Sequence, residues 1–200
     1  MWKNLLGGLR PAWTPILVTY FCYGASAVTG VAEVFFQKDV LRLTPAEVAT
    51  VAFWVSLPWS MKMVAGVASD VHPLFGSRRI AYLLLGAACT LGGYALMAGY
   101  VSTKATYLVA TLLVTVGFMV QDVVADALSV EVARTDEELG QIQTLGRMAL
   151  LLGGISVGYL SGWLAGTIGS QATFAVATLL PLLVALSVGF LRAAPARVRP

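Results

Sequence analysis

Runs of apolar residues long enough to cross a bilayer, separated by short polar turns, fill almost the whole chain, and no other feature restricts its fold so strongly. A membrane-spanning helix needs roughly 20 largely apolar residues. Six such runs follow one another, at about 13–36, 46–67, 80–101, 106–130, 145–165 and 172–191. In lipid every backbone amide must find its partner within its own segment or in a closed barrel. The ten-residue alternation of barrel strands is absent, so the runs are expected to be helices. Of the 200 residues, 58% are hydrophobic and 12% charged, against roughly 25% charged in an ordinary soluble domain. The expectation is an all-α membrane protein: a single six-transmembrane-helix bundle over residues 1–200, with the lipid bilayer as its solvent.

The net charge of +3 raises nucleic acid as a partner, but the cations form no patch or reading motif and none is expected. Topology accounts for them. With the N-terminus inside, Lys3, Arg10, Lys62, Arg78, Arg79, Arg134, Arg147, Arg192, Arg197 and Arg199 fall on the cytoplasmic side, and Lys38, Arg42 and Lys104 outside. Ten against three places both termini in the cytoplasm, with the plasma (inner) membrane as the expected location. Lys3, Arg10 and the later Ala25-Ser26-Ala27 imitate a cleaved signal peptide. The apolar run continues past that site to Phe36, however, and Tyr20, Cys22 and Tyr23 interrupt its core. Cys22 and Cys89 lie inside apolar runs, which argues against a disulfide framework, and no Cys/His spacing points to a metal or other cofactor.

Two runs carry polar stripes. Thr19, Tyr23, Ser26, Thr29 and Glu33 recur at intervals of 4, 3, 3 and 4, and Thr111, Thr115, Asp122, Asp126 and Ser129 at 4, 7, 4 and 3, so each set falls on one helical face. An Asp near the centre of a lipid-facing helix costs roughly 2.5–3.5 kcal/mol, so these faces are expected to meet each other or a water-filled cavity. The bland alternative, carboxylates reaching the headgroups, stays open for Glu33 and Asp126; Asp122 lies about a turn deeper than Asp126. Two acids four residues apart on a partly desolvated face are expected to share a proton. The candidate proton-coupling and cavity residues are Asp122, Asp126, Glu33, Gln121, Tyr23 and Thr29. In the fifth run Gly154, Gly158, Gly162 and Gly166 form a ladder on which another helix is expected to pack closely, with contact to a substrate as the alternative. Pro58 is expected to kink the second run, and the nearly featureless third and sixth runs are expected to face lipid. Glu33 and Asp126 each lie about twenty residues into the first helix of a group of three. Three spans per group invert the second, the arrangement of one half of a major facilitator transporter.

The stretch WSMKMVAGVASDVHPLFGSRRIAY, Trp59 to Tyr82, resembles the second-to-third helix signature of the folate-biopterin transporter family, within the major facilitator superfamily. It does so at Trp59, Lys62, Gly66, Ser69, Asp70, Pro73, Gly76, Arg78, Arg79 and Tyr82; Met63 stands where the family usually has Pro. QDVVADALSVEVAR, Gln121 to Arg134, is similar to the same family's fourth-helix segment at Asp122, Asp126, Ala127, Glu131 and Arg134. The resemblance implies a six-helix half of a major facilitator fold, a 3+3 inverted repeat. It also implies that the turn helps latch two halves during alternating access. The latch candidates are Gly66, Asp70, Gly76, Arg78, Arg79 and Glu131, with the glycines giving tight backbone geometry and Glu131 pairing with an arginine. Lys62 is expected to snorkel to headgroup phosphates, with contact to a substrate carboxylate as the alternative.

A complete transporter of that superfamily has twelve spans, so a second six-helix half is the expected partner, in the same polypeptide or another. The function expected is that of half a proton-coupled secondary transporter for a small polar organic solute such as a folate or pteridine, whose ring Tyr23, Trp54 or Trp59 could hold. The alternative is a non-transporting assembly or scaffold protein whose polar stripes are closed by internal hydrogen bonds. An enzyme is not expected, because no nucleophile–base pair stands out and His72, the only histidine, lies beside Pro73 in the turn.

Overall fold

The computed structural model describes residues 10–72 and 79–192. Among these, six helices are long and apolar enough to cross a membrane: α1 (Pro11–Val40), α2 (Pro45–Ser69), α3 (Ile80–Gly99), α4 (Lys104–Val132), α5 (Asp136–Thr167) and α6 (Ser170–Ser187). The chain is a multi-pass, all-helical membrane protein. Short polar turns reverse it between spans. Thr44 caps α2 and exchanges bonds with Glu47, Thr103 caps α4, and Thr135 accepts from the Glu138 amide to open α5. Gly169 takes φ +81° between α5 and α6, a conformation open to glycine at no steric cost. We call the end of the bundle where α1 starts the near end, and the other the far end.

Breaks in two of the spans, α1 and α2, position polar groups. In α1 the Ser26 hydroxyl donates to the Tyr23 carbonyl at 2.6 Å and Thr29 to that of Ser26 at 3.0 Å. Such bonds compete with the helical ladder, and Ser26–Thr29 tightens into a 3-10 stretch before helix resumes at Gly30. The first stripe is therefore not one straight face. In α2, Pro58 has no N–H to give. The Met61 amide bonds back to its carbonyl at 3.0 Å, Met61 leaves helical geometry at φ −94°, ψ 9°, and a new helical segment, Lys62–Val71, begins.

Packing runs through glycines, though not those of the expected ladder. An added Cβ at Gly93 would stand 2.6 Å from the Ala110 carbonyl oxygen, and one at Gly117 2.6 Å from that of Gly86, so α3 and α4 touch backbone to backbone. Gly24 and Gly153 do the same for α1 and α5: a Cβ on Gly153 would come within 2.9 Å of the Ala25 nitrogen. Along the ladder, Gly158, Gly162 and Gly166 have nothing within 4 Å, and Gly154 meets only the Gly24 carbonyl at 3.7 Å. The close-packing face is one residue out of register, because Gly153, not Gly154, faces α1.

The expected lipid-facing spans also need correction. α3 buries Leu83, Gly86, Ala87, Thr90, Gly93, Tyr94 and Met97, and α6 buries Phe174, Ala177, Pro181 and Val184. The spans with least burial are α2 and α5, which show Met63, Val64, Val67, Ile155 and Tyr159 on their open sides. Small residues scattered in an apolar run make a packing face that hydropathy alone does not reveal. A shallow apolar groove lined by Met63, Val64, Val67, Ala68, Val71 and His72 lies on this side of α2.

Candidate functional site

Because α2 restarts at Lys62, that side chain reaches α4 instead of the headgroups. Its ammonium lies 2.5 Å from Asp122 Oδ2 and 2.9 Å from Asp126 Oδ2. Asp122 and Asp126 are one helical turn apart, so a single cation bridges both. The Tyr20 hydroxyl of α1 donates to the other Asp126 oxygen, and the cluster joins α1, α2 and α4. Snorkelling is thus overturned for Lys62 by a nearer counter-charge. The two acids are balanced by a lysine that their own spacing could not reveal. Asp122 is 14% exposed and Asp126 42%, so the cluster is open at Asp126 and closed at Asp122.

Tyr23 sits beside this cluster on α1, its ring stacked on Trp59 at 5.6 Å and tilted against Phe118 at 5.4 Å. Trp54 is exposed, edge-on to Phe53, and takes no part. Thr19 is buried and bonds to the Pro15 carbonyl at 2.7 Å, and Thr111, Thr115 and Ser129 likewise bond to the carbonyls four residues before them. Gln121 is not with the acids: it is buried on the opposite side of α4, where its amide donates to the Thr90 hydroxyl at 3.0 Å across the α3 contact. A residue adjacent to Asp122 in sequence points about 100° away from it on a helix.

Glu33 is a separate site. Thirteen residues beyond Tyr20 it lies roughly 20 Å farther along α1, 2.7 Å from the Thr29 hydroxyl, whose one hydrogen it shares with the Ser26 carbonyl. Tyr94 and Tyr107 stand within electrostatic range, and Gln37 donates to the Tyr107 hydroxyl at 2.8 Å. Among the described residues no Lys or Arg pairs with Glu33. It approaches the far end of the bundle as Asp126 approaches the near end, which agrees with the inverted arrangement of the two groups of three helices.

At the near end Arg79 Nε lies 2.7 Å from Glu131 Oε1, and an Arg79 amino group donates to Ser69 at 3.1 Å. The Tyr82 hydroxyl bonds to the Ala68 and His72 carbonyls at 3.2 and 2.9 Å, tying the end of α2 to the start of α3. Gly66 is mid-helix, and an added Cβ there would make only ordinary contact with Val123 at 3.7 Å, so the tight geometry expected of it is not found. Asp70 falls in the helical segment Lys62–Val71; Gly76 and Arg78 lie outside the described residues. Arg10 is a further tie, 2.5 Å from Glu138 and 2.6 Å from the Val132 carbonyl. Both Tyr20 and Arg10 escaped sequence reasoning, since their partners are more than a hundred residues away. No group of His, Cys, Asp and Glu able to hold a metal occurs among the described residues.

The model of the BT1 family matches residues 24–199. The chain belongs to the BT1 family. Over 185 residues, 90% of the chain, it is 34% identical to the "Folate-biopterin transporter" of Synechocystis sp., of which it covers 37%. Over 201 residues, 96% of the chain, it is 28% identical to "Probable folate-biopterin transporter 4" of Arabidopsis thaliana, covering 40% of it. A 63-residue stretch is 40% identical to "Folate transporter 1" of Plasmodium falciparum, covering 32% of the chain and 12% of that protein. The chain thus spans less than half the length of these relatives, and the six spans are consistent with the major facilitator superfamily.

Proposed function

We propose that the chain works as one half of a secondary active transporter that moves a folate- or pteridine-like solute by alternating access and draws on protons. The observation that carries this reading is the bridge from Lys62 to Asp122 and Asp126, completed by Tyr20, a charged junction of three helices within the span and open on one side. The names of the relatives supply the solute class. A proton taken by Asp126, the more exposed acid, removes one of two negative charges from the bridge. It weakens the bonds to Lys62 and Tyr20 and loosens α1 and α2 from α4. Glu33, with a hydroxyl partner and no cation, is the second proton site in this scheme, near the far end.

The open faces of α2 and α5 at Met63, Val64, Val67, Ile155 and Tyr159 accept the second six-helix half, and both termini lie in the cytoplasm of a plasma (inner) membrane. Arg79, Glu131 and Asp70 serve as the near-end latch. A scaffold role would call for polar stripes sealed from water; the 42% exposure of Asp126 favours transport.

The test is uptake of labelled folate by the native gene product under an imposed pH gradient. Asp126→Asn and Asp122→Asn are expected to abolish the response to the gradient, and Glu33→Gln to reduce it. Unchanged pH-dependent uptake in both aspartate variants would sink the proton-coupling role.

A further inference from the structure

The cluster just described poses an electrostatic difficulty for an anionic solute. Lys62, Asp122 and Asp126 together sum to one negative charge, and the lysine is occupied by both acids. A carboxylate approaching this bridge is repelled. The polar contacts at the near end do not help, because Arg10 is engaged with Glu138 and Arg79 with Glu131.

Arg147 is differently placed. It is the twelfth residue of α5, roughly 16 Å along that helix from Asp136. Its neighbour Gly146 abuts the Tyr20 ring, an added Cβ standing 2.8 Å from it, and Tyr20 is the residue that reaches Asp126. Arg147 is thus level with the Lys62 cluster and within electrostatic range of both Tyr20 and Tyr23. The cation count had assigned it to the cytoplasmic edge. It is exposed, and among the described residues it makes no ion pair or hydrogen bond. Gly154 and Gly158 follow 7 and 11 residues later, within about 40° of it around the helix, and nothing lies within 4 Å of a Cβ added at Gly158. The face of α5 beyond the guanidinium is therefore free of side chains at those positions, leaving room for a flat ring.

We infer that Arg147 is the anion-receiving contact of the transport cavity: its guanidinium takes a carboxylate of the solute, while the solute's ring system lies along the glycine positions of α5. A guanidinium presents a planar fork that matches a carboxylate with two parallel bonds. It also brings the layer of Lys62, Asp122, Asp126 and Arg147 to zero net charge, so the solute's carboxylate no longer meets an excess of negative charge. Arg147 is then a specificity-determining residue. It favours solutes with a carboxylate, such as folate, over neutral pteridines, such as biopterin. This inference rests on the transport reading above.

The experiment measures half-saturation of uptake for folate, for pteroate, which lacks the glutamate and ends in a benzoate carboxylate where folate has an amide, and for biopterin, which has no carboxylate. It compares the native gene product with Arg147→Gln and Arg147→Lys at matched surface levels. Loss of a charge-assisted carboxylate contact in Arg147→Gln is expected to lower the preference for folate over biopterin by about ten- to a hundredfold. Arg147→Lys, a point charge without the fork, is expected to recover part of it, and a smaller loss for pteroate than for folate places the contact at the glutamate. A preference unchanged in Arg147→Gln, as for a guanidinium that only solvates in headgroups, overturns the inference and leaves the transport reading standing. So does an equal loss for all three solutes, which marks a structural role. A native protein that takes up none of them overturns both.

Discussion

At Lys62 one ammonium satisfies two carboxylates, so the cost of losing it differs from that of losing a surface pair. Lys62→Gln leaves Asp122, only 14% exposed, beside Asp126 with no cation between them. Breaking a fully buried pair costs about 3–5 kcal/mol, but Lys62 itself is 37% exposed and solvent screens part of that. The expected destabilisation is about 1–2 kcal/mol, read as a lower thermal midpoint of the detergent-solubilised protein. Adding Asp122→Asn removes one of the two repelling charges and is expected to restore part of the loss. A midpoint equal to wild type in Lys62→Gln alone would show that water already compensates the acids. Tyr20→Phe is expected to be milder, because the Asp126 side chain is partly exposed and water can take up hydrogen bonds to it.

Among the elements, two glycines of α5 five residues apart, on different faces of the helix, make opposite demands. Gly153 is pressed against the α1 backbone and Gly158 faces open space. Overpacking a tight contact typically costs about 1–3 kcal/mol, and here the obstructing atoms are backbone and cannot rotate away. Gly153→Ala is expected to lower the thermal midpoint clearly, whereas Gly158→Ala is expected to hold or raise it, since alanine is the better helix former by about 1 kcal/mol. Equal effects would mean that the α1–α5 contact yields. This pair also shows what the sequence could carry. The six spans, the break after Pro58, the two acids on one face of α4 and the pairing of Glu131 with an arginine followed from hydropathy, helical period and family resemblance. The interlock at Gly153 did not, because four glycines at perfect spacing made a stronger pattern than the single one that packs. The partner of the acids was hidden for a related reason: the helix breaks at Met61 and restarts at Lys62, and hydropathy does not show which way the restarted segment faces.

For the molecule as a whole, transport requires contacts at the near end that hold one state and then let go. Arg79–Glu131 has the right strength for that work: Arg79 is 14% exposed but Glu131 is 48% exposed, and solvent-facing pairs contribute about 0–1 kcal/mol. A contact of that size changes a two-state ratio by about fivefold at most, which biases an equilibrium without locking it. A stronger, buried pair would hold one state too firmly to cycle. Arg79→Glu and Glu131→Arg singly put like charges where an opposite pair now stands 2.7 Å apart. Each is expected to slow folate uptake several-fold while shifting the thermal midpoint little. The double exchange, Arg79→Glu with Glu131→Arg, restores an opposite-charge pair with its ends swapped and is expected to recover most of the rate. Recovery of rate without a matching change in stability assigns the pair to the conformational equilibrium, not to folding. If both single variants are slow and the exchange is no faster, the pair does not act as a latch, and the Ser69 and Arg79 contact at the α2–α3 turn becomes the part that matters.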